Sequence, residues 1–180
     1  MRVLDVATDE LVAVMVHGTA TDRFEDFYRR EYVGLVDLAR ALTGDWAQAQ
    51  DVVQEAMIVA FGRWDRLRGF DKPGAFARRV VLNRCRSLGR RRLAEGRALA
   101  RVASRPDPVD DLPADASRFW AEVRKLPRRQ RDCVALAYVD GFSMAEIAEV
   151  VGCAEATVRV HLHRGRLTLA GRLGAESEEA

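Results

Sequence analysis

The sequence predicts an all-α protein built from two small helical domains that are joined by a flexible linker. Apolar residues recur with a helical period along most of the chain, and no stretch shows sustained period-two alternation between hairpin turns. A segment rich in proline and aspartate, SRPDPVDDLPADAS, separates two such helical stretches. The 180 residues are 48% hydrophobic and 31% charged, which is typical of a globular protein.

The first domain is expected to span residues 21–92, after an N-terminal extension at residues 1–20 that could form an amphipathic helix and pack on either domain or bind a regulator. Gly44 and Pro73 mark the boundaries of its helices, because glycine favours helix ends and proline favours the first helical turn. The predicted helices run from Phe24 to Leu42, from Ala47 to Trp64, and from Pro73 to Arg90.

The second domain is expected at residues 118–174, after a linker at 93–117 and before an acidic tail at 175–180. Ser117 is predicted to cap its first helix, and Pro127 separates that helix from the next one.

Two short helices joined by a tight turn are predicted near the C-terminus. Ser143 and Glu146 have the spacing of a capping box at the start of the first helix, and Gly152 ends it. The second helix begins near Ala154. It has a packing stripe of Val158, Leu162, Gly165 and Leu169, and an opposite face of Ala156, Val160 and His163 that Arg159 and Arg164 flank. This helix-turn-helix pattern presents a helix to the DNA major groove and therefore predicts DNA binding.

Several other classes of protein are disfavoured. The sequence has no run of about 18 apolar residues and no secretory signal, so we expect no membrane insertion and a cytoplasmic location. Three scattered cysteines favour buried free thiols over disulfides. A zinc site at Cys153, His161 and His163 is disfavoured, because histidines two residues apart on a helix point in different directions. We therefore expect no metal and no cofactor.

Charge is distributed very unevenly along the chain. Residues 1–62 carry 5 basic and 11 acidic side chains, whereas residues 63–92 carry 11 basic and 2 acidic ones. Such an excess indicates a phosphate-binding surface, although a solvated basic face is the alternative.

Two helical faces in the first domain suggest binding. The first face combines polar side chains with an isoleucine that points outward. This combination suggests a protein partner, although an ordinary solvent-exposed face is the alternative. The first face consists of Asp51, Gln54, Glu55 and Ile58. The other suits phosphates and one base edge, and consists of Arg79, Asn83, Arg86 and Arg90.

The loop RWDRLRGFDKPG before the second face mixes aromatic and basic side chains, as surfaces that stack unpaired bases do. Its aromatic residues are Trp64 and Phe70, and a role in the core is the alternative for Trp64.

Two separate stretches resemble the bacterial sigma factors of the extracytoplasmic-function (ECF) class within the sigma-70 family. The motif D-x-x-Q-E-A at 51–56 and the V-x-N ending at Asn83 resemble the second conserved region of that family. LPRRQR, GFSMAEIAEVVG and TVRVHLHRGR resemble its fourth region. The LTGD and WDRLR phrases are most similar to the SigE-like group common in actinobacteria.

The resemblance implies a detachable specificity subunit of RNA polymerase rather than an enzyme. Its implied partners are core RNA polymerase and promoter DNA, with an anti-sigma factor as a further candidate. The face at residues 51–58 would contact the coiled-coil clamp of the largest polymerase subunit. The −10 element would be read by Arg63, Trp64, Arg66, Arg68, Phe70, Lys72, Arg79, Asn83, Arg86 and Arg90. The −35 element would be read by Ala156, Thr157, Arg159, Val160, His163 and Arg164.

Some positions depart from the family pattern. Ala154 replaces the usual serine at the start of the recognition helix and Val160 replaces another, so the −35 preference of relatives does not transfer. A helix-turn-helix regulator that acts without core polymerase is the second class considered. An enzyme is the third, and is disfavoured because no catalytic constellation is present.

Overall fold

The computed structural model describes residues 19–98 and 113–175, and every regular element within those two ranges is an α-helix. The predicted all-α class is therefore confirmed for the described chain. The eight helices in these ranges are α1 (Thr19–Thr43), α2 (Trp46–Phe61), α3 (Trp64–Leu67), α4 (Pro73–Ala98), α5 (Ala114–Arg124), α6 (Arg128–Tyr138), α7 (Met144–Val151) and α8 (Glu155–Ala175).

Helices α1 to α4 form an N-terminal group. A two-residue turn joins α1 to α2, in which Gly44 adopts a φ of 75° and Asp45 caps α2 by accepting a hydrogen bond from the Gln48 backbone nitrogen at 2.8 Å. Helix α4 packs against both α1 and α2. The predicted punctuation at Gly44 and Pro73 is confirmed.

Aromatic rings fill one end of this group. The Trp64 ring lies 5.2 Å from that of Phe24 and 5.0 Å from that of Phe27, measured between centroids. The short helix α3 brings about this burial, since it turns both Trp64 and Leu67 inward. The predicted second helix, which was expected to run to Trp64, ends at Phe61 instead.

Helices α5 to α8 form a C-terminal group. At the start of α7, Ser143 Oγ accepts from the Glu146 backbone nitrogen at 3.3 Å, and the Ser143 backbone nitrogen donates to Glu146 Oε2 at 3.0 Å. Ser143 Oγ also donates to Glu146 Oε2 at 2.8 Å, and this bond, followed by the one from the Ser143 backbone nitrogen, holds the pKa of Glu146 below its usual value. Gly152 ends α7 with a φ of 71°. The predicted capping box and helix end are confirmed.

Helix α8 packs closely on α6 at Gly165. A β-carbon at that position would lie 2.9 Å from Val134 Cγ2, so any larger side chain would push the two helices apart. The buried residues of α8 follow the predicted packing stripe and are Val158, Leu162, Gly165 and Leu169.

The two groups pack against each other, an arrangement that we call closed. Helix α4 contacts α7, and α1 contacts α5 and α6. The buried apolar residues of both groups belong to one continuous core. Separation of the groups would therefore expose apolar surface as well as break polar contacts.

Two further predicted helix boundaries are wrong. Helix α4 continues to Ala98, beyond the expected helix end at Arg90, because the segment LAEGRA contains good helix formers apart from its glycine. Helix α5 starts at Ala114 after Pro113, with Asp115 in its first turn, rather than at a Ser117 cap. The amphipathic segment, the centre of the predicted linker and the acidic tail lie outside the described residues, at 1–18, 99–112 and 176–180.

Candidate nucleic-acid interface

The outward face of α8 is open to solvent in the closed arrangement. Val160 is 45% exposed even though it is apolar, and the opposite face of the helix is buried. The other exposed members of this face are Ala156, Thr157, Arg159, His163 and Arg164. An exposed helix with a buried back and two flanking arginines is the geometry that a major-groove reader requires.

Helix α8 begins without a polar side chain. The carbonyl oxygen of Ala154 accepts from the backbone nitrogens of Thr157 at 2.9 Å and Val158 at 3.1 Å, which starts the helical ladder. The methyl group of Ala154 cannot accept from the free first-turn N–H groups, as a serine would.

The polar face on α2 is also exposed, as its spacing predicts. Asp51, Gln54 and Glu55 face solvent, and Ile58 is 49% exposed among them. Glu55 Oε2 lies 3.1 Å from Arg84 Nε of α4. An exposed isoleucine beside carboxylates suits a partner surface that offers both an apolar contact and a positive charge.

Arg79 is exposed on α4, but its guanidinium group contacts the C-terminal group of helices. Its Nε donates to the Val150 carbonyl oxygen at 3.0 Å, and its Nη2 donates to the Glu149 carbonyl oxygen at 2.5 Å. Those carbonyls end α7, where a positive charge is favourable to the helix dipole. Arg79 therefore joins α4 to the first helix of the helix-turn-helix.

Arg86 is engaged across the same interface. Its Nη2 donates to Asp132 Oδ2 at 2.8 Å, and its Nη1 donates to Asn83 Oδ1 at 2.5 Å. The Asp132 side chain is 1% exposed, so this is a largely desolvated ion pair. Arg90 is exposed one turn farther along and donates to Ser87 Oγ at 3.2 Å. The predicted basic residues of α4 therefore do lie on one face, but the C-terminal group contacts Arg79 and Arg86 of that face.

Some basic and aromatic side chains of the loop before α4 are exposed to a ligand, and others contact the rest of the protein. Lys72 Nζ lies 3.8 Å from Glu146 Oε1 and 3.6 Å from Glu149 Oε2, both on α7. Phe70 is 48% exposed. The remaining basic side chains of this loop are exposed and are Arg63, Arg66 and Arg68.

Trp64 lies in the core, which is the alternative that the sequence left open for it, and is not available for base stacking in this structure. Its side chain is 7% exposed and its ring packs on Phe24 and Phe27. Removing an indole from such a core to stack on a base would leave a large cavity. Phe70, which is exposed in the same loop, is the aromatic residue that a base can reach.

Arg78 is a contact residue that the sequence reasoning missed. Its Nε donates to Asp140 Oδ1 at 2.8 Å, its Nη1 donates to Glu31 Oε2 at 2.6 Å, and the guanidinium lies 4.7 Å from the centre of the Phe142 ring. Burial disfavours its charge, but the two carboxylates outweigh burial and raise the pKa of Arg78. A single arginine thus links α1, α4 and the segment before α7.

Among the residues described, no group of three or more histidine, cysteine or acidic side chains could hold a metal ion. The three cysteines are free, with Cys133 buried and Cys85 and Cys153 partly buried. Burial raises the pKa of the Cys85 thiol, and that of the Cys133 thiol, to about 12. These thiols are therefore protonated and poorly nucleophilic at neutral pH.

Comparison with known proteins assigns the family. Residues 27–94 match the family model for sigma-70 region 2, and residues 117–169 match the model for sigma-70 region 4. An RNA polymerase sigma-E factor of Streptomyces avermitilis is 31% identical over 170 residues, covering 92% of this chain and 93% of the relative. The ECF RNA polymerase sigma factor SigM of Mycobacterium tuberculosis is 33% identical, covering 92% of this chain and 84% of the relative. The chain belongs to the ECF sigma factors.

Solved structures agree with the fold of this sigma factor. CnrH in complex with the cytosolic domain of CnrY is 26% identical, with a TM-score of 0.64 and coverage of 91% of this chain and 94% of that one. The sigma factor RpoE in complex with the anti-sigma factor NepR from Bartonella quintana has a TM-score of 0.64 at 24% identity, covering 83% of this chain and 98% of that one. In this sigma factor, the region 2 match falls on α1 to α4 and the region 4 match on α5 to α8. No described helix is long and apolar enough to cross a membrane.

Proposed function

We propose that this sigma factor binds core RNA polymerase and directs it to promoters through their −10 and −35 elements. The observation that carries the proposal is the presence of region 2 and region 4 in one chain, each with an exposed face suited to a macromolecular partner. It acts in the cytoplasm as a transcription initiation factor and has no catalytic activity of its own. An anti-sigma factor is a candidate regulator, as in the RpoE and NepR complex.

Core polymerase docks on the face of α2. Ile58 supplies apolar contact area at the centre of a polar rim, which is how transient protein interfaces are commonly built. Glu55 supplies charge for a basic partner and is held in place by Arg84. The N-terminal group therefore carries the polymerase interface on the side of α2 that faces solvent.

The −35 element is read as duplex DNA by α8. Val160 can contact a thymine methyl group, whereas it cannot donate a hydrogen bond to a base. Arg159 and Arg164 flank the reading face and suit phosphate contacts that fix the orientation of the helix.

The −10 element is read as a single strand by the loop before α4 and by α4 itself. Arg79 and Arg86 contact α7 and α6 in the closed arrangement, and the same guanidinium groups cannot simultaneously bind DNA there. Full −10 recognition therefore requires the two helical groups to separate. Binding energy from the extruded base and the single strand offsets the unstacking cost of a few kcal/mol.

Run-off transcription with purified core polymerase on a promoter library tests the function. We expect specific transcripts that depend on added sigma factor. A helix-turn-helix regulator would give a different result. The free protein would bind duplex DNA as tightly and as specifically as holoenzyme does, and no transcription would depend on its addition to polymerase.

The double substitution Glu55→Lys and Ile58→Ala tests the polymerase interface. We expect it to abolish co-purification with core polymerase while changing the melting temperature little, because both side chains are exposed. Glu25→Lys with Val33→Ala is the matched control, since it makes similar exchanges on α1, where Val33 is exposed and Glu25 is partly exposed and paired with Arg29. Wild-type transcription by the α2 variant, or equal losses in both variants, would refute the assignment of this face.

A further inference from the structure

A cleft of about 500 Å³ lies between the two helical groups. It is walled on one side by α4 and on the other by the end of α5 and the start of α6. Its volume is within the range of small-molecule sites. The basic residues that line it are Arg86, Arg90, Arg124, Arg128 and Arg131.

The cleft has a large excess of positive charge. Asp132 is the only acidic residue among the described residues that line it, and its carboxylate is already bound by Arg86 at 2.8 Å. The nearby charge of Arg86, followed by burial, lowers the pKa of Arg128. Like charges therefore crowd one another across the boundary between the groups.

The start of α6 adds to this positive charge. Pro127 precedes the helix without a side-chain cap, and no acidic residue stands in the first turn. Arg128 and Arg131 lie in or next to that turn, where the helix dipole disfavours cations and favours an anion. The first turn of α6 thus places positive side chains where the helix dipole favours an anion.

Two hydrogen-bond donors in the cleft side chains lack acceptors. The Nε–H groups of Arg86 and Arg131 are buried and donate to no acceptor among the described residues. Buried donors are costly to leave unsatisfied. The cleft itself is lined by guanidinium groups, which pair with phosphate oxygens in well-defined geometries. These donors come from opposite walls, one from α4 and one from α6.

We propose that the cleft binds a phosphorylated small molecule whose phosphate oxygens bridge Arg86 and Arg90 of α4 to Arg128 and Arg131 of α6. The ligand stabilises the closed arrangement, because the four side chains surround one space only while the groups are packed together. The size of the cleft favours a di- or polyphosphate over a nucleic-acid strand, which the two walls would exclude.

Ligand binding and closure are independent of the proposed function, but their effect on transcription rests on it. Arg86 and Arg90 are also proposed −10 contacts. A ligand that holds them against α6 therefore competes with promoter opening, and lowers transcription without occupying the exposed face of α8.

Alkylation of Cys85 measures closure, because this thiol lines the cleft and its pKa is about 12 when buried there. The full-length protein is treated with iodoacetamide at pH 7.5, and Cys85 labelling is quantified by peptide mass spectrometry. The probes are inorganic pyrophosphate, a nucleoside triphosphate without Mg²⁺, and sodium sulfate at matched ionic strength. We expect pyrophosphate or the triphosphate to slow labelling at least tenfold, and sulfate to have little effect. Stronger protection by the triphosphate would assign a nucleotide as the source of the phosphates.

The variant Arg128→Gln with Arg131→Gln should lose this protection. Arg91→Gln should retain it, because Arg91 is exposed beside the cleft but does not line it. Circular dichroism spectra and titration calorimetry with pyrophosphate on all three proteins establish that the variants are folded and measure binding directly. Equal protection in both variants, equal protection by sulfate, or no protection by either pyrophosphate or the triphosphate would overturn the proposal.

Discussion

Arg78 and Arg79 show how two adjacent residues can serve different contacts at one interface. Successive residues on an α-helix point about 100° apart, so the two guanidinium groups leave α4 in different directions. Arg78 enters a nearly buried site between Glu31 and Asp140, whereas Arg79 reaches the last carbonyls of α7. Adjacent arginines therefore fix the C-terminal group at two separate points.

Val160 is the residue most suited to a test of −35 specificity, because it is exposed and has no packing role. Val160→Ser introduces a hydroxyl that can bond a base edge, so we expect the preference among −35 sequences to change by about 1–3 kcal/mol at one or two positions. Selection of a −35 library by the mutant holoenzyme measures this change. Core polymerase binding should stay the same.

Arg164→Ala is the comparison for that experiment. A phosphate contact carries no base information, so its loss should weaken all −35 sequences alike and reduce the salt dependence by about one charge. An unchanged base profile for Val160→Ser, or a base-specific profile for Arg164→Ala, would mean that α8 lies in the groove in another orientation.

Trp64 and Phe70, the two aromatic residues of the loop before α4, differ in a way that the sequence does not predict. Trp64 and Phe70 lie in the same basic loop, so the amino-acid composition of that loop predicts base stacking for both of them. Only the path of the chain through α3 decides that Trp64 points inward while Phe70 stays exposed. A four-residue helix has no periodic signal, so the sequence could not reveal this difference.

At the scale of elements, α8 must satisfy two requirements along its length. Its outer face is the surface proposed to bind DNA and has to remain exposed for that role, and its inner face approaches α6 closely at Gly165. Gly165→Ala would place a β-carbon 2.9 Å from Val134 Cγ2. We expect a loss of about 1–3 kcal/mol in the free energy of unfolding, measured by chemical denaturation.

Gly171→Ala provides a matched control in the same helix. No atom lies within 4 Å of a β-carbon at Gly171, so this exchange should stabilise the helix by about 0.5–1 kcal/mol. If both substitutions shift stability in the same direction, close packing of α6 and α8 is not what requires glycine at position 165.

Elements were predicted well where local signals are strong. The capping box at Ser143, the left-handed Gly152 and the four-residue spacing on α2 and α8 each depend on a few neighbouring residues, and the structure has them as predicted. The end of α4 was not predicted, because residues 93–98 are good helix formers apart from one glycine, and the proline-rich composition that breaks a helix begins only later.

At the scale of the whole molecule, the closed arrangement depends strongly on Arg78. Arg78→Met leaves the buried carboxylate of Asp140 without its ion-pair partner and leaves Glu31 paired with Arg30 alone, and breaking such a buried pair costs about 3–5 kcal/mol. We expect the two groups to separate, which small-angle X-ray scattering would detect as a larger radius of gyration.

Arg84→Met is the control for this prediction. It breaks the half-exposed pair with Glu55 on α2, which is expected to contribute only about 0–1 kcal/mol. Its scattering profile should match that of the wild type. An Arg78→Met protein that remains as compact as the control would show that the other contacts between the groups hold them together without Arg78.

The contacts between the groups could not be predicted from the sequence. Arg79 and Arg86 have the same spacing whether they bind DNA or the C-terminal group, and their partners Val150 and Asp132 lie 71 and 46 residues away along the chain. Local pattern identifies a basic stripe, but long-range packing decides what the stripe contacts in the free protein.

The unequal exposure of the two proposed reading surfaces sets an order of events. The outer face of α8 is open in the closed arrangement, whereas Arg79 and Arg86 are engaged. An upstream element can therefore be sampled as a fast, salt-sensitive encounter, and the downstream element only after a slower unimolecular opening. Stopped-flow mixing of holoenzyme and promoter should accordingly show one phase whose rate rises with DNA concentration and a second whose rate does not.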